Sequence, residues 1–142
     1  LSAEAHRPMT TVQEMFKGID LRGKLLPEHL ISIGAEACFQ YVTPAAVFVP
    51  TQSGATARSM ARFRLPVWTV AVSTEESTCR RLQFSAGVHP VYESRLPANW
   101  NSYVKSQVAA LDLEGKLAIL TQGPSPEHSE TNYRLEILDL TL

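Results

Sequence analysis

Three short runs of apolar residues constrain this chain most: Val47-Phe-Val49, Val67-Trp-Thr-Val-Ala-Val72 and Leu117-Ala-Ile-Leu120. None shows the strict alternation of a half-exposed strand, so each reads as a strand buried on both faces. A sheet covered on both faces needs helices, and the segments between the runs have helical spacing. Pro27, a first-turn residue, opens a helix in which Leu30, Ile33, Ala37 and Cys38 recur up to about Val42, before Pro44 ends it. Arg58 to Arg64 continues a second helix. Ser73-Thr-Glu-Glu76 has the form of a capping box and opens a third, which carries Cys79, Leu82 and Phe84 and closes at Gly87. Pro97 starts a fourth, running through Trp100, Tyr103, Val104, Val108 and Leu111. Val88-His-Pro-Val-Tyr92 adds a strand that Pro90 assigns to a sheet edge, and Tyr133 to Leu140 forms the last strand.

Strand and helix alternate, which calls for an α/β fold of three layers, α/β/α. The expected sheet is five-stranded and mostly parallel, with the last strand antiparallel. Residues 1–26 read as a linker with a short helix from Thr10 to Gly18, and residues 27–142 as the α/β domain. A chain of 142 residues buries about two-thirds of its unfolded surface and needs no disulfide staple. Cys38 and Cys79 lie in helical patterns without a CxxC and read as reduced packing residues of a cytoplasmic protein. A net charge of −1 leaves no footprint for nucleic acid or an anionic membrane, and no run approaches the ~18 apolar residues of a membrane span. Any anion must therefore be held by local features. A first residue of Leu rather than Met suggests a processed product or a piece of a longer protein.

The local feature is the turn Thr51-Gln-Ser-Gly-Ala-Thr56, between an apolar strand and a helix. A helix start leaves about four amides unpaired and carries roughly half a positive charge, so the turn offers amides, three hydroxyls and a dipole to a phosphate. Gly54 lets backbone and ligand approach closely. An ordinary Ser/Thr cap explains the same residues equally well. The loop Thr121 to Asn132 is the second hydroxyl-rich and Gly-containing segment at a strand's C-terminal end. In such sheets ligands bind where the strand order reverses, so both loops line one pocket if their strands are neighbours there. Arg58 is the best placed cation, while Arg62 and Arg64 read more simply as solvated positions. His128 lies on the second loop; His29 and His89 read as surface or structural histidines. Ser53 has no Asp/His partner and no G-x-S-x-G elbow, which argues against a hydrolase.

The order of these motifs resembles the C-terminal domain of pyruvate kinase. The matching residues are Val47 to Ala57, Ala61-Arg-Phe-Arg64, Val67 to Val72, Gly87-Val-His-Pro-Val91, Leu113-Glu-Gly-Lys116, Ile119-Leu-Thr-Gln-Gly123 and Thr131-Asn132. The resemblance implies a five-stranded regulatory domain of a tetrameric glycolytic kinase that, in many members, binds a sugar phosphate between the two loops. It places Thr51, Gln52, Ser53, Gly54, Ala55 and Thr56 around one phosphate, and Gly123 to Thr131 on a loop that folds over the ligand. It also places Trp100 near the second phosphate, although packing at a subunit contact explains Trp100 as well. Fructose-bisphosphate-regulated members tend to carry a Lys or Arg in the first turn, where this chain has Gln52 and Ala55. Pro124, Pro126, Glu127 and Glu130 stand where glycines are usual, with Arg58, Arg62, Arg64 or His128 left to compensate.

The family's phosphoryl-transfer machinery belongs to a separate ~250-residue barrel, for which this chain lacks the length. No catalytic residue, cofactor or metal ligand is therefore expected here, and Mg²⁺ and K⁺ are implied for the full-length enzyme alone. The expected partners are a phosphorylated sugar or similar anion, the catalytic barrel and other copies of the subunit. The helix after Pro27 and the last strand are the expected subunit contacts. A free-standing protein that binds or acts on a small phosphorylated metabolite is the alternative, and a vestigial, purely structural site is a third. Gly54→Asp is expected to separate site from scaffold by abolishing phosphate binding.

Overall fold

The computed structural model describes residues 26–124 and 130–142. The predicted short helix from Thr10 to Gly18, the predicted linker up to residue 25 and His128 lie outside the described residues. The order of elements is α1 (Pro27–Cys38), β1 (Val47–Pro50), α2 (Ala55–Ala61), β2 (Thr69–Ser73), α3 (Glu76–Leu82), β3 (Val88–Tyr92), α4 (Trp100–Ala110), β4 (Leu117–Gln122) and β5 (Arg134–Asp139). The five strands form one sheet in the order β3-β2-β1-β4-β5. The first four run parallel, and β5 returns antiparallel beside β4 with Ile119 opposite Ile137.

The apolar runs behave as central strands must. Val47 and Val49 point into a core with Ala35, Ala57, Met60 and Leu82, so α1, α2 and α3 cover one face. Phe48, Val70, Val72, Ala118, Leu120 and Leu138 meet Val104 on the other face, covered by α4 with Trp100, Tyr103 and Val108. A three-layer α/β/α arrangement results. Pro90 sits on β3, at the sheet edge, where a missing N–H costs least.

Several local expectations are corrected. α1 ends at Cys38 and buries Ser32, Ala35 and Glu36, while Leu30 is 57% exposed and Ala37 faces solvent. Both helical faces carry apolar residues, and the one with small side chains packs inward; there Ser32 Oγ approaches Ser59 Oγ of α2 at 3.4 Å. The capping box does not form. Ser73 is the last residue of β2, and its Oγ accepts from the Glu75 amide at 3.1 Å in a tight turn, so α3 begins only at Glu76. α3 then stops at Leu82, which leaves Phe84 90% exposed in the following turn rather than in the core. α4 starts three residues after Pro97, with the Asn99 side chain accepting from the Ser102 amide at 3.2 Å.

Candidate functional site

The strand order reverses between β1 and β4, which neighbour each other in parallel although a long crossover separates them in sequence. The loops after both strands diverge from this point, and a cleft of about 1180 Å³ opens over the C-terminal ends of the parallel strands. Thr51, Gln52, Ser53, Ala55, Thr56 and Arg58 line it from the β1 side, and Thr121, Gln122, Gly123 and Pro124 from the β4 side. The two predicted loops therefore meet.

The turn after β1 is held largely by its own hydroxyls. Thr51 anchors it by donating its amide to Val72 O at 2.9 Å. Thr51 Oγ1 accepts from the Gly54 amide at 2.8 Å, and Ser53 Oγ accepts from the Ala55 amide at 3.3 Å. Two of the amides expected to face a phosphate are thus occupied, and each hydroxyl keeps one O–H for a ligand. Gly54 has φ +89° and is buried beneath the cleft. A Cβ there would lie 2.8 Å from Arg58 Nη1 and 3.2 Å from Leu82 Cδ2, so the missing side chain makes room for the Arg58 guanidinium and for α3. Gly54→Asp would consequently strain the scaffold as well as the site, and does not separate the two.

Charge comes from outside the turn. Arg58 of α2, Arg62 just after it, Arg81 of α3 and Arg95 after β3 line the cleft, with Glu75 the one carboxylate among the described lining residues. Gln52 and Ala55, where a base was missing, thus share the cleft with four arginines. Arg81 and Arg95 were not legible as site residues in the sequence. Both follow strands whose C-terminal ends border the cleft, and the turn after each parallel strand was the signal available. Arg64 is absent from the cleft, as is Glu130. Neighbouring Arg80 is directed elsewhere, 3.8 Å from Glu76 on the exposed side of α3.

The remaining predicted residues separate. Gly123 lies on the cleft, where a Cβ would come within 2.9 Å of the Tyr133 ring. Thr131 is half-buried but does not line the cleft. Trp100 is also absent from it: the indole packs against the face of the sheet covered by α4 and meets Tyr103 edge-on at 5.6 Å. On α3, burial pushes the Cys79 thiol pKa up, with the Glu76 carboxylate adding to the effect. Among the described residues no three His, Cys, Asp or Glu side chains converge as metal ligands would. Among them, too, no helix is long and apolar enough to cross a membrane.

A mostly parallel sheet covered on both faces, with an arginine-lined cleft at its switch point, defines a three-layer α/β domain. Residues 29–135 match the family described as pyruvate kinase, alpha/beta domain. The chain belongs to that family. Pyruvate kinase of Clostridium acetobutylicum is 27% identical over 112 residues, which span 76% of this chain and 24% of that protein. The solved structure of Cryptosporidium parvum pyruvate kinase in complex with ADP has the same fold at a TM-score of 0.72 and 16% identity, over 83% of this chain and 24% of that one. The chain thus spans about a quarter of the length of these relatives.

Proposed function

We propose that this chain is the regulatory domain of a pyruvate kinase, and that its cleft binds a phosphorylated effector. The observation that carries this reading is the balance of charge over the switch point: among the described lining residues, four arginines against one carboxylate, in a cleft rich in Ser and Thr hydroxyls. Guanidiniums suit phosphate through paired N–H donors, while hydroxyls and the Gln52 amide suit a sugar. The residues proposed to hold the ligand are Thr51, Gln52, Ser53, Ala55, Thr56, Arg58 and Gly123, with Gly54 shaping the turn beneath them. An effector that binds one quaternary arrangement more tightly shifts the enzyme toward it. The proposed route to the rest of the assembly is α1 and β5, where Leu30 and Ile137 are 57% and 50% exposed. Catalysis, with its Mg²⁺ and K⁺, is assigned to a barrel domain outside this chain, in the cytoplasm.

Calorimetric titration of the 142-residue chain at low salt, with fructose 1,6-bisphosphate, ribose 5-phosphate, glucose 6-phosphate and AMP in turn, tests the proposal. Saturable binding of one of them, weakened when cleft arginines are replaced, is the expected result. Silence from all four in a folded sample would turn the reading toward a structural domain concerned with assembly.

A further inference from the structure

Four arginines on one cleft do not make four equivalent contacts. Arg81 alone among them is tethered by a hydrogen bond within the described residues: Nη2 donates to Thr78 Oγ1 at 3.2 Å, one helical turn back along α3. Thr78 is 2% exposed, and its hydroxyl proton is committed in turn to Gln52 O of the β1 turn, at 2.5 Å. One buried hydroxyl thereby fixes a guanidinium and the ligand turn to each other. The hydroxyl's single proton goes to the turn and a lone pair receives the arginine, while the other guanidinium N–H groups stay available over the cleft. A tethered guanidinium loses less side-chain freedom on binding than a free one.

Resting on the effector-site reading, we propose that Arg81 is the principal phosphate-binding cation of this chain, serving in place of the base absent at positions 52 and 55. Thr78 is a positioning residue that holds it against the turn. The ligand class is a phosphate or pyrophosphate ester whose dianion sits between the β1 turn and α3. Arg80, next in sequence but directed to Glu76, takes no part.

The test is calorimetry of the full chain with inorganic pyrophosphate as the probe, comparing wild type with Arg81→Gln, Arg80→Gln, Thr78→Val, Thr78→Ser and the Thr78→Val/Arg81→Gln pair. Arg81 is exposed, so Arg81→Gln should fold with an unchanged melting temperature. The expected results are a loss of affinity of about tenfold or more for Arg81→Gln and of about threefold for Thr78→Val. Arg80→Gln and Thr78→Ser should match wild type. The pair should be no weaker than Arg81→Gln alone, because Thr78 acts through the arginine. Wild-type affinity in Arg81→Gln overturns the assignment and leaves the effector cleft standing. Equal losses in Arg80→Gln and Arg81→Gln overturn it in favour of the general charge of α3. Additive losses in the pair overturn the positioning role, and no binding by wild type overturns both this inference and the cleft reading.

Discussion

The two walls of the cleft are built on opposite plans. The β1 turn is rich in hydroxyls and carries no charge, and its hydroxyls accept hydrogen bonds from the turn's own amides. The α3 wall is an ordinary helical surface in sequence, yet it sends a buried hydroxyl to the turn and a tethered guanidinium to the cleft. A loop that satisfies itself makes a stable shape with few free donors, whereas a helix keeps its backbone bonds internal and leaves its side chains for a ligand. In this domain the turn gives form and the helix gives charge. The wall that looks more like a binding site is therefore the one whose replacement should cost most in stability.

Replacing Gly54 is the largest way to break that comparison. A non-glycine residue at φ +89° is strained, and its Cβ would press on Leu82 of α3. Gly54→Ala is expected to destabilise the domain by about 2 kcal/mol, measured as a lower urea midpoint at unchanged m-value. Loss of anion binding with full stability would mean that the turn is a ligand site first and a scaffold second.

Thr51→Val comes next. It removes the acceptor for the Gly54 amide, whose residue is buried, at an expected cost of about 1 kcal/mol. Thr51→Ser keeps the oxygen and should be neutral in the same urea titration. If Thr51→Val leaves stability alone but weakens pyrophosphate binding as much as Arg81→Gln, the hydroxyl serves the ligand and the contrast between the walls disappears.

The sheet was legible because the physics that defines it is local. Val47-Phe-Val49 and Leu117 to Leu120 are too uniformly apolar for anything but central strands, and Pro90 marks an edge by its missing donor. Helix faces were harder. α1 offers Leu30, Ile33 and Ala37 on one side and Ile31, Ala35 and Cys38 on another, and only the partner surface chooses between them. Phe84 illustrates the same limit, since a helix that stops two residues early turns a predicted core residue into an exposed one. The site divided along similar lines. Thr51 to Thr56 announced themselves by composition, but Arg81 is fixed at the cleft through a bond to Thr78 one turn back along α3 and a bond from Thr78 to Gln52, 26 residues apart. Nothing in the dipeptide Arg80-Arg81 says which guanidinium faces the ligand; the answer lies in the buried hydroxyl three residues before the second.

The smallest expected effect belongs to the arginines on and just past the turn's own helix, and it bears most directly on why one wall should dominate. Arg58 and Arg62 line the cleft, and among the described residues neither guanidinium has a hydrogen-bond tether like that of Arg81. A long, exposed side chain must give up about 1–2 kcal/mol of rotamer freedom to hold a ligand, and an exposed ion pair returns little more than that. The Arg58→Gln/Arg62→Gln pair should therefore weaken pyrophosphate binding by only about threefold and leave stability within about 0.5 kcal/mol of wild type. Salt should separate the two walls further, because contacts that rest on untethered surface charge are screened over about 10 Å at 0.1 M ionic strength. At moderate salt the Arg58/Arg62 difference should fade while that of Arg81 persists. A larger loss from the Arg58/Arg62 pair than from Arg81→Gln, at either salt, would move the cation back to the segment that follows the turn.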